Sequence, residues 1–240
     1  MSRNWLRHGL TLVSIAFFAA GCASNAPAPA ATAVPAAPTA APVAPAPTSV
    51  STNSSNTGNT MVRLQVVPDK SEARYRVREQ LAQVSLPSDA VGKTSAITGT
   101  IVGKTDGTIV AAESKFVVDL RTLRSDRDQR DNFLRREVLQ SNQYPNAVFV
   151  PTQASGLDLT FPPTKPTTFK LIGDLTIRNV TKPVTWDVTC EPQGNGGMCR
   201  ATTNFNFAYF NLTQPRVPVV LSVVDNIILE LDLQLQRVEG

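Results

Sequence analysis

Ile227-Ile228-Leu229-Glu230-Leu231-Asp232-Leu233-Gln234-Leu235-Gln236 places an apolar side chain at every odd position and, from Glu230 on, a polar one at every even position. A period of two puts the leucines on one face of an extended chain and the carboxylates and amides on the other, the pattern of a half-buried β-strand. The alternation recurs upstream. Phe169, Leu171, Gly173, Leu175 and Ile177 alternate with Lys170, Asp174, Thr176 and Arg178, and Val184, Trp186 and Val188 alternate with Thr185, Asp187 and Thr189, as two consecutive antiparallel strands would. Further strand-like runs are Ala73 to Arg78, Ser95 to Val102, Thr108 to Val118 and Ala147 to Thr152, with turn residues between them. About eight strands within residues 61–240 indicate one all-β domain, built as a sandwich or a closed antiparallel barrel.

One segment departs from this period. Ser125 followed by Asp128 resembles a capping box, and Phe133, Leu134 and Val138 fall near one side of a single short α-helix running to about Gln140. Asp126, Asp128 and Asp131 lie where the helix dipole favours negative charge, and they lack the glycine and spacing of a calcium loop, so no metal is expected there.

At the amino terminus, Arg3 and Arg7 precede an apolar run from Gly9 to Ala20 that is too short to span a bilayer and ends in Ala19-Ala20-Gly21-Cys22. Residues 1–21 are therefore expected to be an export signal. The small residues before Cys22 resemble the lipobox of bacterial lipoproteins, in which a peptidase cuts before the cysteine and the thiol and new amine are acylated; Ala19 stands where leucine is usual. The alternative is an ordinary secretory signal cut after an A-x-A-like site. On the lipoprotein reading Cys22 is the lipid anchor, and the protein is held at a membrane of the cell envelope: in the periplasm or outer membrane, or on the outer face of the cell membrane. Ala23 and Ser24 do not resemble the aspartate signal for inner-membrane retention.

Cleavage changes the inventory. The only histidine, His8, leaves with the signal, so the mature chain can build neither a histidine metal site nor a Ser-His-Asp or Cys-His pair. With no paired carboxylates, nucleophile-base pair or phosphate loop in view, the chain is not expected to be an enzyme. Removing Arg3 and Arg7 takes the formal charge from +4 to +2, since no acidic residue precedes Cys22, and nothing suggests a nucleic-acid footprint. From Pro27 to Thr60 the chain has seven prolines by Pro47, abundant Ala, Thr, Ser and Asn, and no charged residue. Residues 22–60 are thus expected to be a disordered linker, either a stalk of set reach or a plain spacer, because this composition buries too little apolar surface to offset its ordering entropy. Beyond the signal the longest apolar run, Val217 to Val224, is too short to span a membrane and carries Pro218.

The two remaining cysteines are tested by register. If Gly194-Asn195 is the turn of a two-residue hairpin, facing residues pair Cys190 with Cys199, Val188 with Ala201 and Val184 with Phe205. Trp186, Val188, Phe205 and Phe207 then share the cysteine face, while Asp187, Arg200, Asn204 and Asn206 point away. In an oxidising compartment a directly opposed pair forms a disulfide; two buried free thiols are the alternative.

Two stretches carry a family resemblance. Asp119-Leu120 closing a strand, Arg130-Asp131-Asn132-Phe133-Leu134 on a helix, and Tyr144-Pro145 with Phe149 opening a strand together resemble the signature of the YceI-like family. Gly173-Asp174-Leu175-Thr176-Ile177 followed by Val180-Thr181-Lys182-Pro183-Val184 is similar to its second signature. The resemblance implies an eight-stranded antiparallel lipocalin-like barrel over residues 61–240, of periplasmic or secreted location, that binds a polyisoprenoid lipid, such as a prenyl quinone, or another amphiphile in its interior, with no resident cofactor. Phe133 stands where the family often has histidine, so any head-group or proton role of that histidine is absent. Val91 to Thr94 follows the proline-containing Leu86-Pro87-Ser88, and an interrupted strand is expected there, with an altered barrel entrance.

A barrel of this size is either filled by its own side chains or holds one elongated ligand. The inward candidates are Phe116, Val118, Phe169, Leu171, Leu175, Trp186, Phe205, Phe207, Leu229, Leu231 and Leu233, an apolar lining suited to a hydrocarbon tail or, equally, an ordinary packed core. Arg121, Arg124 and Arg127 near the strand-to-helix junction are candidates for an anionic head group, or face solvent. The function expected is membrane-tethered binding of an amphiphilic lipid; the alternative is a non-catalytic envelope interaction module with a filled barrel.

Overall fold

The computed structural model describes residues 60–157 and 162–239. The expected signal, Cys22 and the linker as far as residue 59 lie outside the described residues. Ten strands account for most of the domain: β1 (Met61–Val66), β2 (Glu72–Leu81), β3 (Ser88–Thr94), β4 (Ile97–Lys104), β5 (Lys115–Asp119), β6 (Asn146–Ser155), β7 (Thr167–Ile177), β8 (Val180–Gln193), β9 (Gly196–Phe205) and β10 (Val220–Val238). All pair antiparallel, in the order β1-β4-β5-β6-β7-β8-β9-β10, and β10 returns to β1, which closes a ring of eight. Closure removes the free edges of those eight strands, while β3, paired only with β2, keeps an outer edge.

The count of ten follows from two kinks. The chain from β1 to β2 bends at a single 3-10 turn, Pro68–Lys70, so both strands run along β10: β1 on its carboxy-terminal residues, with Val66 opposite Leu235, and β2 on the rest, from Asp232 opposite Glu72 to Val220 opposite Leu81. Likewise β3 pairs with β2 while β4 pairs with β1. The long β2–β3 hairpin extends the ring on one side and forms one lip of its open end.

The expected interruption before Val91 is absent: β3 is a regular strand in unbroken register with β2, from Glu79 opposite Ser88 to Ala73 opposite Thr94. Pro87 sits just ahead of the strand, where its missing N–H removes no ladder bond. The run from Thr108 to Val118 is shorter than its alternation suggests, with a strand only from Lys115. Ser114 Oγ accepts from Val102 N at 2.9 Å and donates to Val110 O at 2.8 Å, so a side chain takes ladder positions and the chain coils as the 3-10 turn Ala111–Glu113. The helix α1 (Asp128–Phe133) starts two residues after the expected cap's neighbour Asp126 and continues as a π-helical turn, Leu134–Val138, ending before Gln140 at φ 50°. Ser125 does not cap it in the expected way. Its N–H and hydroxyl donate to the buried carboxylate of Asp131, at 3.0 and 2.7 Å, and this closes the loop onto the helix.

The hairpin register is as expected. Cys190 lies opposite Cys199 and Val188 opposite Ala201, Gly194 takes φ 56° in the turn, and the two cysteines form a disulfide with Cα atoms 4.1 Å apart. Inward positions of β8 and β9 are buried, among them Val184, Trp186, Val188, Cys190, Cys199, Ala201 and Phe205, while Thr185, Asp187, Thr189 and Arg200 face water. This is the reverse of a membrane-spanning barrel, whose outward band is apolar.

Candidate functional site

The ring is unequally filled along its axis. At the end where β1 begins, Val62, Leu64, Val66, Ile101, Val188, the Cys190–Cys199 bridge, Leu233 and Leu235 are buried against one another. Toward the β2–β3 hairpin the same inward rows surround a cavity of about 430 Å³. Three aromatic rings on neighbouring strands mark the boundary: Phe116 stacks on Phe149 at 6.4 Å between centroids, and Phe149 meets the edge of Trp186 at 5.8 Å. Phe116 can lie inward because Gly99 faces it across β4 and β5; a Cβ there would come within 2.5 Å of the Phe116 ring. Tyr75 is placed in the same way over Gly92, where a Cβ would come within 2.1 Å of its ring. In both pairs a glycine makes room for a cross-strand aromatic.

The walls above this floor are apolar: Ala73, Tyr75 and Val77 of β2, Ile97, Val118, Leu175, Ile177, Phe205, Ile227, Leu229 and Leu231. Phe133, Leu134 and Val138 of the helical segment roof it, together with Phe207 and Leu212 after β9. Of the inward candidates, Phe116, Val118, Leu175, Trp186, Phe205, Phe207, Leu229 and Leu231 line the cavity. Phe169, Leu171 and Leu233 do not. They occupy the right face but lie toward the other end: Phe169 pairs with Val188, and Leu233 with Cys199, below the aromatic floor.

Polar groups gather at the mouth. Glu79, the inward residue of β2 after Val77, is buried and accepts from Arg130 of α1 at 2.5 Å; Arg130 also bonds Asp126 and reaches Ser125 Oγ at 3.2 Å. Burial works against the Arg130 charge, but Asp126 and Glu79 outweigh it and hold the guanidinium above its ordinary range. Tyr75 lies beside Ser125, whose hydroxyl is committed to Asp131, and the Tyr75 hydroxyl has no hydrogen-bond partner. Burial pushes that hydroxyl up to about 12, so it stays a neutral donor. Trp186 Nε1, 3% exposed as a residue, is also unpartnered in the cavity wall. Each such donor carries a desolvation cost that an oxygen acceptor on a bound molecule would remove.

The three arginine candidates separate. Arg127 lines the mouth. Arg121 is turned back on Asp119, with Nη2 at 2.7 Å from the carboxylate, and lines no part of the cavity. Arg124 uses its backbone to bridge Lys93 on the outer edge of β3, and its side chain is exposed. Sequence reasoning missed Tyr75, Glu79 and Arg130. The alternation of β2 carried one step past Arg78 places Glu79 inward, and Arg130 stands in the motif Arg130-Asp131-Asn132-Phe133-Leu134. Among the described residues no three His, Cys, Asp or Glu side chains come together as a metal site.

A closed antiparallel barrel, packed at one end and hollow at the other beneath a helical roof, defines the class as a lipocalin-like barrel with an apolar chamber. The chain belongs to the YceI-like domain family, whose model matches residues 64–235. Two solved structures share the fold. BcnA of Burkholderia cenocepacia, at 16% identity, aligns over 70% of this chain and 98% of its own with a TM-score of 0.52. A polyisoprenoid binding domain from Saccharophagus degradans, implicated in plant cell wall breakdown, aligns at 12% identity over 72% of this chain and 97% of its own with a TM-score of 0.54. No curated protein sequence matches the chain.

Proposed function

We propose that this protein is a membrane-tethered, non-enzymatic binding protein that holds the tail of a polyisoprenoid or similar amphiphilic lipid in its barrel, with the head at the Arg127, Arg130 and Glu79 mouth. The observation that carries the reading is the apolar chamber of about 430 Å³, within the range of about 300–1,000 Å³ usual for small-molecule sites. Family membership and the polyisoprenoid-binding domain of the same fold support it. Each buried methylene of a tail contributes about 0.8 kcal/mol, so a prenyl chain stays bound after its ordering costs. Arg127 and Arg130 suit an oxygen-rich head, and Tyr75 and Trp186 supply donors to any oxygen that enters the chamber.

Trp186 is the only tryptophan after the signal, the other being Trp5, so it reports on the chamber. Delipidated protein titrated with a prenyl quinone or prenyl phosphate is expected to show saturable quenching of Trp186 and a rise in melting temperature. If neither occurs at any chain length, the lipid-binding reading fails. The tether is tested separately: Cys22→Ser is expected to leave the membrane pellet, and its retention there with unchanged electrophoretic mobility would refute the anchor.

A further inference from the structure

Among the described residues six large apolar side chains are exposed, and five of them stand at the mouth: Val84, Leu86, Val219, Leu221 and Val224, between 40% and 72% exposed. They come from two segments far apart in sequence and joined in space. Val220 lies opposite Leu81, Ala82 N donates to Val219 O at 3.0 Å, and Gln80 Nε2 donates to Val84 O. The tip of the β2–β3 hairpin and the start of β10 therefore form one apolar lip. The lip is continuous with the chamber, whose lining includes Leu81, Pro215, Val217, Val219, Val220 and Val223. Scattered exposed valines and leucines need no explanation, but five gathered on one rim do.

Of the acids nearest the lip, Glu79 is ion-paired with Arg130 and Asp89 with Arg76 and Arg78, while the exposed Asp225 accepts only from the Phe207 amide and keeps its charge. Arg216, exposed in the same loop as Val219, has no acidic partner among the described residues. An exposed apolar rim that is continuous with an apolar chamber and bears one cation and one anion matches the interface of a bilayer, where apolar side chains enter the acyl boundary and basic ones such as Arg216 meet head groups. We infer that the mouth-end lip docks on a lipid bilayer, so that cargo passes between membrane and chamber without crossing water. This inference rests on the lipid-binding reading for its purpose. A tail leaving a bilayer through water exposes every methylene it had buried, a barrier that contact between lip and membrane removes. The tether permits the geometry. The chain joins β1 at the end opposite the mouth, but the residues between Cys22 and Thr60 reach about 100 Å when extended, whereas the stretch Met61–Leu81 spans about 70 Å.

The test uses the full chain in vesicles of phosphatidylethanolamine and phosphatidylglycerol. Leu86→Cys and Leu221→Cys, each labelled with an environment-sensitive fluorophore, report on the lip; Glu239→Cys reports on the opposite end, and the parent chain labelled in parallel is the blank. Both lip probes are expected to shift to the blue and to be quenched by brominated acyl chains, while the probe at position 239 stays water-like. Lip probes indistinguishable from that at 239, or blue-shifted without vesicles because a second copy covers the lip, would overturn the inference. The exposed double variant Leu86→Asp with Leu221→Asp is expected to take a prenyl quinone from vesicles about tenfold more slowly, with unchanged Trp186 quenching when the quinone is delivered from ethanol. Unchanged transfer also overturns docking. Loss of Trp186 quenching in the parent chain instead overturns the lipid-binding reading and leaves the probe result standing.

Discussion

The two ends of the barrel are built from the same alternating strands and behave differently. Inward residues toward β1, such as Leu64, Val188, Leu233 and Leu235, are valines and leucines that reach one another across the ring, with the Cys190–Cys199 bridge among them. Inward residues toward the β2–β3 hairpin, such as Tyr75, Phe149, Trp186 and Phe205, are larger, yet they surround space. Volume per side chain does not decide the matter. At the mouth end β10 is paired with β2 and β2 with β3 in place of β1, the helical segment covers the opening, and the inward rows enclose a cavity. A strand's alternation selects a face; the distance to the opposite face decides whether that face packs or lines a chamber.

The largest effect is expected from charge on the chamber wall. Trp186→Glu desolvates a carboxylate without a partner and should lower stability by about 3 kcal/mol or more, or retain the fold with a raised carboxyl pKa and no bound lipid. Asp187→Asn, one residue on and facing water, should change neither melting temperature nor lipid content. Equal behaviour of the two variants in thermal melts and lipid extraction would break the distinction between the faces.

Truncation separates the ends next. Leu233→Ala leaves a void in a packed region and should cost about 2–5 kcal/mol by denaturant titration, with prenyl quenching of Trp186 unchanged. Leu229→Ala enlarges a chamber that already exists and should cost less stability while altering affinity. The reverse ranking would place the chamber at the wrong end. Removing the bridge with Cys190→Ala and Cys199→Ala should cost about 2–3 kcal/mol, since the closed loop is short, again without loss of bound lipid.

The smallest effect is electrostatic. Glu72, Asp89 and Asp126 are held below the ordinary carboxylate range, first by hydrogen bonds from Arg74, Arg78 and Arg130 respectively, against a smaller opposing effect of burial. Their folded-state values lie below the unfolded ones, so the stability they contribute is present above about pH 4.5 and is lost as pH falls through the depressed values. These pairs are largely solvated and each contributes about 0.2–1 kcal/mol, so the melting temperature should be flat from pH 8 to about pH 5 and decline below about pH 4. Because Asp126 helps to hold Arg130 at the mouth, that decline should be accompanied by weaker prenyl binding. Binding that is indifferent to acid would separate the mouth ion pairs from the site.

Parts of this fold are legible in a single strand or turn. The face of β10 follows from Leu229 to Leu235, and the Cys190–Cys199 pairing follows from a Gly-Asn turn and a count of residues, because both are local rules of extended chain. The site is less legible. Phe169 and Leu233 share a face with Trp186, yet only Trp186 reaches the chamber, since position along the barrel axis depends on strand stagger that no single run of residues contains. Arg121 belongs to the same strand-to-helix stretch as Arg127, but Asp119, two residues before it, captures it. Glu79 and Arg130 are 51 residues apart and meet only when α1 folds across the end of β2. The sequence by itself determined an all-β domain, its inward faces, its disulfide register and its family, because these rest on periodicity two and on short motifs. Only the tertiary structure decided where the barrel is hollow, which arginines line the mouth and where the exposed valines and leucines gather, because these depend on distances between chain segments that become neighbours when the ring closes.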